Sequence, residues 1–307
     1  GLKFILCRGE TSAALMASVV GEVTGTPGVV ITGVGPGAAS AVNGVAYAWL
    51  ERAPLILICD SRDQTSYFAP HQVFDQKELF RPITKNSKSI DPESGPESLR
   101  ALIKLALAKP YGPVMAELSA YDARQIASVH ELRISQPIAS SEDNVIAKLP
   151  DETVDLLKKS SRPVILLGIQ SASDSMEDTV KTLLAEFLCP VFTTYKAKGV
   201  LADNHPNLIG HFTGASSELR LVENADLILL IGVDPVELIP APWQHDAPLI
   251  VLSETVILKY PKDPAVVLNG SLERTLKLIK TQFSKTSWLK TEIESLRNRL
   301  IESSKLD

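Results

Sequence analysis

Glu10 is the residue in this sequence with the most chemistry available to it. It stands between a short apolar run, Lys3-Phe4-Ile5-Leu6-Cys7, and a small-residue helix pattern, Thr11-Ser12-Ala13-Ala14-Leu15-Met16-Ala17. An acid at that point can be a helix-start residue, favoured by unpaired N–H groups and the helix dipole. It can also exchange protons with a ligand, provided burial holds its pKa up. A second candidate is Gly33-Val34-Gly35-Pro36-Gly37-Ala38, which fits the loose dinucleotide pattern G-x-G-x-x-G/A. It follows a strand pattern and opens a helix pattern, and Asp60 closes the next strand about where a ribose-binding acid would sit. Those residues alone support a nicotinamide oxidoreductase built on Gly33, Gly35 and Asp60, or a plain strand-to-helix turn. The third candidate is a polar loop, Tyr67–Lys85, with His71-Gln72 and Asp75-Gln76 ahead of Leu79-Phe80-Arg81-Pro82-Ile83-Thr84-Lys85. A histidine there can be an acid–base group beside a reacting carbon or a solvent-facing side chain. His130, His205, His211 and His245 show no zinc-ligand spacing, so no metal ligand is assigned.

These residues need elements to hold them. Apolar runs at Phe4–Leu6, Gly28–Thr32, Leu55–Cys59 and Val114–Leu118 read as strands, and Thr11–Val23, Ala38–Glu51 and Pro96–Ala108 as helices. Strands apolar on successive residues, separated by helices, imply a parallel sheet buried on both faces. From Ser119 to Pro150 the periodicity fades, and residues 123–148 read as a linker. Alternation then resumes. Pro163–Leu167, Pro190–Thr194, Asp226–Ile231, Pro248–Leu252 and Ala265–Leu268 read as strands, with helices at Asp151–Ser160, Asp174–Leu188, Ser216–Glu223 and Leu272–Thr281. The expected fold is α/β, with two doubly wound parallel-sheet domains at 1–122 and 149–285. A polar amphipathic helix, Trp288–Ser304, lies in the tail 286–307.

Composition sets the bounds. With 307 residues, 45% of them hydrophobic, the chain can bury two cores. Net charge is −5 with both signs dispersed, so no nucleic-acid footprint is read. No charge-free apolar run reaches membrane-spanning length. Cys7, Cys59 and Cys189 lie singly in or beside apolar runs, which reads as buried free thiols in a reducing, cytoplasmic or organelle-matrix compartment.

The longer context resembles one family. Glu10-Thr11-Ser12-Ala13-Ala14-Leu15-Met16-Ala17 is similar to an E-x-x-A-x-x-M-A run. Gly25 falls at a Thr-Gly pair, and Pro27–Trp49 is similar to a G-P-G-x-x-N-x-x-x-G-x-x-x-A segment. These belong to the pyrimidine-binding domain of thiamin-diphosphate enzymes of the acetolactate synthase, pyruvate oxidase and benzoylformate decarboxylase type. The resemblance implies that Glu10 hydrogen-bonds a ring nitrogen of the cofactor and drives its activation. It implies that Gly35, Pro36, Gly37 and Ser40 border the pyrimidine, Ser40 standing where the family usually has Asn. Tyr67–Lys85 is similar to the family's loop running into a P-[IV]-T-K strand, which implies a strand at Pro82–Lys85, and counting back from Thr84-Lys85, Gln72 falls on the family's active-site glutamine. His71 falls where acetolactate synthases usually carry Phe. Lys196–Leu201, His205-Pro206, Gly210 and Ala225–Pro235 resemble the central domain, which in some relatives holds FAD or an adenine nucleotide; here the structural role is preferred. The family binds diphosphate and Mg²⁺ through a Gly-Asp-Gly motif in a third domain, and no Gly-Asp-Gly occurs here. The resemblance therefore implies a fragment, without that domain and without the first strand and helix of the pyrimidine domain, and inactive alone. The intact enzyme is expected to act on a 2-oxo acid or related acyl donor by decarboxylation or carbon–carbon ligation, as a homodimer or homotetramer. A non-catalytic binding or regulatory remnant is the other reading.

Overall fold

The computed structural model describes residues 3–62, 71–125 and 146–303, apart from 215–217, 219–221, 241–242, 244, 258 and 284. Most of the expected linker, most of the expected helix Ser216–Glu223 and the start of the Tyr67–Lys85 loop lie outside the described residues. The chain divides into two compact units, Gly1–Ser141 and Glu142–Asp307.

The first unit runs α1 (Glu10–Thr24), β1 (Gly28–Thr32), α2 (Pro36–Ser40), α3 (Val42–Leu50), β2 (Leu55–Ser61), α4 (Gln76–Phe80), β3 (Ser87–Ser89), α5 (Gly95–Leu107) and β4 (Pro113–Ser119). Its strands pair in parallel in the order β1-β2-β4-β3. Successive residues of β2 serve opposite faces, as the pleat requires. Leu55, Leu57 and Cys59 pack with Ala14, Val45 and Ala48. Ile56 packs with Leu102, Ala106 and Val114.

Small residues seat α1, and so aim Glu10. A Cβ built on Gly28 would lie 1.8 Å from the Ala17 carbonyl oxygen, and one on Gly44 would lie 2.4 Å from Ala14 Cβ and 2.8 Å from Leu15 N. Only glycine permits backbones that close. Ser18, fully buried, donates to the carbonyls of Ala14 at 2.7 Å and Gly44 at 3.2 Å, tying α1 to α3.

Four expectations need correction in this unit. Phe4–Leu6 is not a strand. It has no ladder partner among the described residues, β1 pairs only with β2, and Phe4, Ile5 and Leu6 are exposed. An apolar run becomes a strand only where a neighbour meets its N–H and C=O groups. The segment Pro82–Lys85 is not a strand either. Asp75 caps α4 by accepting from the Glu78 N–H at 2.9 Å, and Arg81–Ile83 continues as a 3₁₀ turn. The strand begins only at Ser87. Cys7 is partly exposed, whereas Cys59 and Cys189 are buried. The helix expected over Ala38–Glu51 is two helices, broken at Ala41.

The second unit runs α6 (Asp151–Lys159), β5 (Pro163–Leu167), α7 (Asp174–Leu184), β6 (Val191–Thr193), β7 (Leu208–His211), β8 (Leu227–Ile231), β9 (Leu249–Ser253), β10 (Val266–Asn269), α8 (Leu272–Lys280) and α9 (Lys290–Ser303). Its strands are parallel in the order β10-β9-β8-β5-β6-β7. Strand β7 went unread because a glycine interrupts its short apolar pattern. Trp288 anchors the approach to α9 in this core, its Nε1–H donating to the Pro163 carbonyl at 2.9 Å under the Arg162 guanidinium. Asp226, just ahead of β8, accepts from Ser160 Oγ at 2.5 Å, Ser161 N at 2.8 Å and Arg162 N at 2.9 Å. Burial raises its carboxyl, but these donors outweigh burial and hold it below the ordinary aspartate value. The acid of the Ala225-Asp226-Leu227 run is thus a structural tie between the entries to β5 and β8.

The packing of α1 yields a test. Gly44→Ala gains helix propensity, about 1 kcal/mol, but must push α1 away. Overpacking costs about 1–3 kcal/mol. The variant should be less stable than the parent in urea titration at unchanged m-value. A gain in stability would refute the close α1–α3 approach.

Candidate functional site

Glu10 opens α1 behind an extended Gly9, and no side chain caps this helix end. Its partly buried carboxylate reaches the turn between β1 and α2. A Cβ built on Gly37 would lie 3.3 Å from Glu10 Oε1. Acid and glycine turn, 27 positions apart, are therefore neighbours.

The turn has its own constraint. Gly35 adopts φ 59° and ψ −107°, a conformation that side-chain-bearing residues avoid. A Cβ on it would lie 1.7 Å from the Gln72 carbonyl oxygen, so the chain at Gln72 presses directly on the turn. Gln72 itself has φ 59°. A non-glycine residue held there stores strain of order 1 kcal/mol, of the kind that collects at functional sites.

One side chain holds this together. Gln76, 3% exposed, accepts from the Gly35 N–H at 2.8 Å through Oε1. Its Nε2 donates to the Asp60 carbonyl at 3.0 Å and to Glu117 Oε1 at 3.3 Å. Lys77 adds an ion pair to Glu117 at 3.2 Å and a hydrogen bond to Ser89 at 2.6 Å. The glycine turn is thereby fastened to the C-terminal ends of β2 and β4, where ligands bind in open parallel sheets.

Of the residues singled out from sequence, Glu10, Gly35, Gly37 and Gln72 come together around this turn. Pro36 is the first residue of α2, where its missing N–H costs nothing. Ser40 is exposed, its hydroxyl donating back to the Pro36 carbonyl at 2.9 Å, while Thr11 Oγ1 donates to the Ser40 carbonyl. His71 lies in the same turn as Gln72 and is exposed. Asp60 accepts from its neighbour Ser61 N–H at 2.9 Å. Gly33 is exposed, with nothing near a built Cβ.

Gln76 is the residue that sequence reasoning missed. A glutamine in the first turn of a helix is ordinarily solvated, and no local pattern marks this one as buried. The N-cap Asp75 was the available signal, since it fixes where the helix starts.

Other chemistry-bearing groups are structural. Thr32 Oγ1 donates to Cys59 Sγ at 3.4 Å, and burial pushes that thiol up to about 11, which leaves it unreactive near neutrality. His245 is buried, with Nδ1 accepting from the Ala247 N–H at 3.3 Å and Nε2 facing the Val222 carbonyl. Among the described residues no group of three or more His, Cys, Asp or Glu could hold a metal ion.

The Gln76 junction is testable in this chain. Gln76→Met removes three buried hydrogen bonds and leaves the Gly35 N–H unpaired. A loss of about 1–3 kcal/mol is expected, with faster exchange of the Gly35 amide and unchanged exchange in β5–β10. Uniform acceleration across both units would instead mean a general loss of fold.

Comparison with known proteins follows the same division. Residues 1–79 match the model described as "Thiamine pyrophosphate enzyme, N-terminal TPP binding domain". Residues 151–260 match that of the "Thiamine pyrophosphate enzyme, central domain". The chain is 28% identical over 303 residues to an acetolactate synthase of Bacillus subtilis, covering 95% of this chain and 52% of that protein. It is 27% identical over 300 residues to 2-hydroxyacyl-CoA lyase 1 of Mus musculus, covering 94% and 50%. It is 25% identical over 241 residues to an oxalyl-CoA decarboxylase of Escherichia coli, covering 76% and 42%. The chain spans about half the length of the curated relatives it matches.

Proposed function

The chain belongs to the thiamin-pyrophosphate enzymes, and on that premise we propose that its first unit supplies the pyrimidine side of a thiamin-diphosphate site. The enzyme concerned decarboxylates or ligates 2-oxo acids or related acyl donors. The observation that carries this reading is the approach of the Glu10 carboxylate to Gly37 on a turn locked by Gln76.

The residues fit such a ring on physical grounds. Glu10 offers an acceptor at the mouth of a turn whose glycines leave no side chain in the way. A carboxyl there can hold or release a proton at a ring nitrogen. Thiamin diphosphate, when bound with Mg²⁺, supplies the carbanion chemistry and the protein supplies orientation. Gln72, and His71 beside it, stand on the segment pressed against the turn, and we assign them to the substrate side. Ser40 reaches back toward the turn through its hydroxyl bond to the Pro36 carbonyl, and its own carbonyl accepts from Thr11, next to Glu10. The diphosphate and Mg²⁺ belong, in this reading, to a Gly-Asp-Gly domain whose motif this sequence lacks.

The same geometry disfavours a nicotinamide site at Gly33-x-Gly35. The Gly35 N–H, which a pyrophosphate would need, is taken by Gln76 Oε1. Glu10 also brings an anion to the turn, where a pyrophosphate would be repelled.

Relatives named as a synthase, a lyase and a decarboxylase support making or breaking a carbon–carbon bond without choosing a substrate. Self-association as a homodimer or homotetramer is part of the proposal. Met16, Val19, Val20 and Val23 form an exposed apolar stripe on α1, and Val29 and Ile31 are exposed on β1. Contiguous exposed apolar surface marks an interaction face. No helix among the described residues is long and apolar enough to cross a membrane; a cytoplasmic or organelle-matrix location is the matching proposal.

Two outcomes test the reading. In the intact enzyme, Glu10→Gln should leave the fold unchanged and lower turnover roughly a hundredfold or more, since shape is kept and the proton-holding group is lost. Near-normal turnover would reduce Glu10 to a helix-start acid. This chain alone, assayed with pyruvate, thiamin diphosphate and Mg²⁺, should show no turnover, because cationic or N–H partners for the phosphates and oxygen ligands for the metal are supplied elsewhere. Robust turnover would overturn that division of labour.

A further inference from the structure

The strand order of the second unit is that of a dinucleotide-binding fold. The chain leaves β5 to build outward through β6 and β7, then returns beside β5 with β8 and continues to β9 and β10. Such a sheet has its ligand crevice at the point of reversal, outside the carboxyl ends of β5 and β8. A pyrophosphate there would sit on the N–H groups of the turn after β5, which is Gly168-Ile169-Gln170-Ser171.

That place is already filled. Glu237, 4% exposed, reaches the crevice from the turn Pro235–Glu237 after β8. Both of its carboxyl oxygens accept from the Ile169 N–H, at 3.0 and 3.1 Å. The Asp234 N–H donates at 2.9 Å and Thr194 Oγ1, at the end of β6, at 2.5 Å. The ends of three strands thus converge on one carboxyl. Burial pushes this carboxyl above the ordinary glutamate range, against the pull of its donors.

The remaining N–H groups of the turn are also spent. Gln170 donates to the Gly232 carbonyl at 3.0 Å, Ser171 to Gly168 at 2.8 Å and Ala172 to Ile169 at 3.1 Å. Gly168 is needed for contact within the protein, since a Cβ there would lie 2.2 Å from Val233 Cα. Where a second glycine would let a pyrophosphate approach, Gln170 carries a side chain. That side chain bonds the Glu254 N–H at 2.8 Å, Ser253 Oγ at 3.2 Å and Thr255 Oγ1 at 3.1 Å, so it closes the end of β9 as well.

We infer that Glu237 is a built-in substitute for a ligand phosphate, that with Gln170 it closes the crevice of the second unit, and that this unit therefore takes neither FAD nor an adenine nucleotide there. Glu237 does for the Ile169 N–H of this turn what a diphosphate oxygen does in a nucleotide-binding relative of this fold, while the Gln170 amide oxygen takes the Glu254 N–H after β9. They satisfy N–H groups that would otherwise be buried without partners. The second unit is then a structural body whose site was exchanged for an internal hydrogen-bond network. The inference concerns this unit alone and stands whether or not the first unit binds thiamin diphosphate.

The test uses the chain itself. Hydrogen exchange on nucleotide-free protein should find the Ile169 and Asp234 amides protected. Calorimetric titration with FAD and with ADP, each to millimolar concentration, should show no saturable heat. Glu237→Ala should speed exchange of those two amides roughly tenfold or more relative to amides of β1 and β2, the effect of removing a hydrogen bond to a charged or strongly polar group. Fast exchange of Ile169 and Asp234 in the parent chain would overturn the inference. So would micromolar FAD or ADP binding that alters protection at residues 168–173. Should Glu237→Ala not fold, the two measurements on the parent chain decide the matter.

Discussion

The approach of the Gln72 backbone to Gly35 is the constraint from which the first unit's site is organised. Two backbones that close tolerate no side chain between them, and Gly35 must also adopt a positive φ. Contact of that kind is held in place only if something fixes both strands of the turn. The buried amide of Gln76 does so. It satisfies the Gly35 N–H and two acceptors at the ends of β2 and β4, and its burial makes any unpaired remainder costly. Glu10 then arrives from a different direction, on a helix seated by Gly28 and Gly44 against β1 and α3. Turn and acid meet because two independent sets of small residues allow backbones to touch.

The two sheets illustrate how one architecture supports different ends. Both are parallel, and both bring polar groups to the carboxyl ends of their strands. In the first unit the polar residue at that edge, Gln76, supports a turn while leaving Glu10 only partly buried. In the second, Glu237 and Gln170 turn inward and consume the crevice. Fold does not set function here; the side chains at the strand ends do. The apolar surface of α1 and β1 belongs to the same contrast. The second unit buries every residue of β5, β6, β8 and β9, whereas the first leaves Val29, Ile31 and one stripe of α1 uncovered.

The α/β class was legible in the sequence because strands buried on both faces are apolar at successive positions, and here such runs alternate with helix patterns. β2 and β5 are the clearest cases. Glu10 and the Gly33–Gly37 turn stand out in the sequence because each sits at a helix or strand boundary where residue type is restricted, whereas Gln72 is singled out only by counting back from Thr84-Lys85 in the family resemblance. What sequence alone left undecided was pairing. Phe4–Leu6 has a strand's composition but no ladder partner among the described residues, and Ser87–Ser89 has a polar composition yet pairs with β4. A ladder is a property of two segments, and no one-segment pattern encodes its neighbour. Burial of polar groups was hidden for the same reason. No local pattern marks Gln76 or Glu237 as buried, because the cost of burying them is offset by donors and acceptors brought from far along the chain.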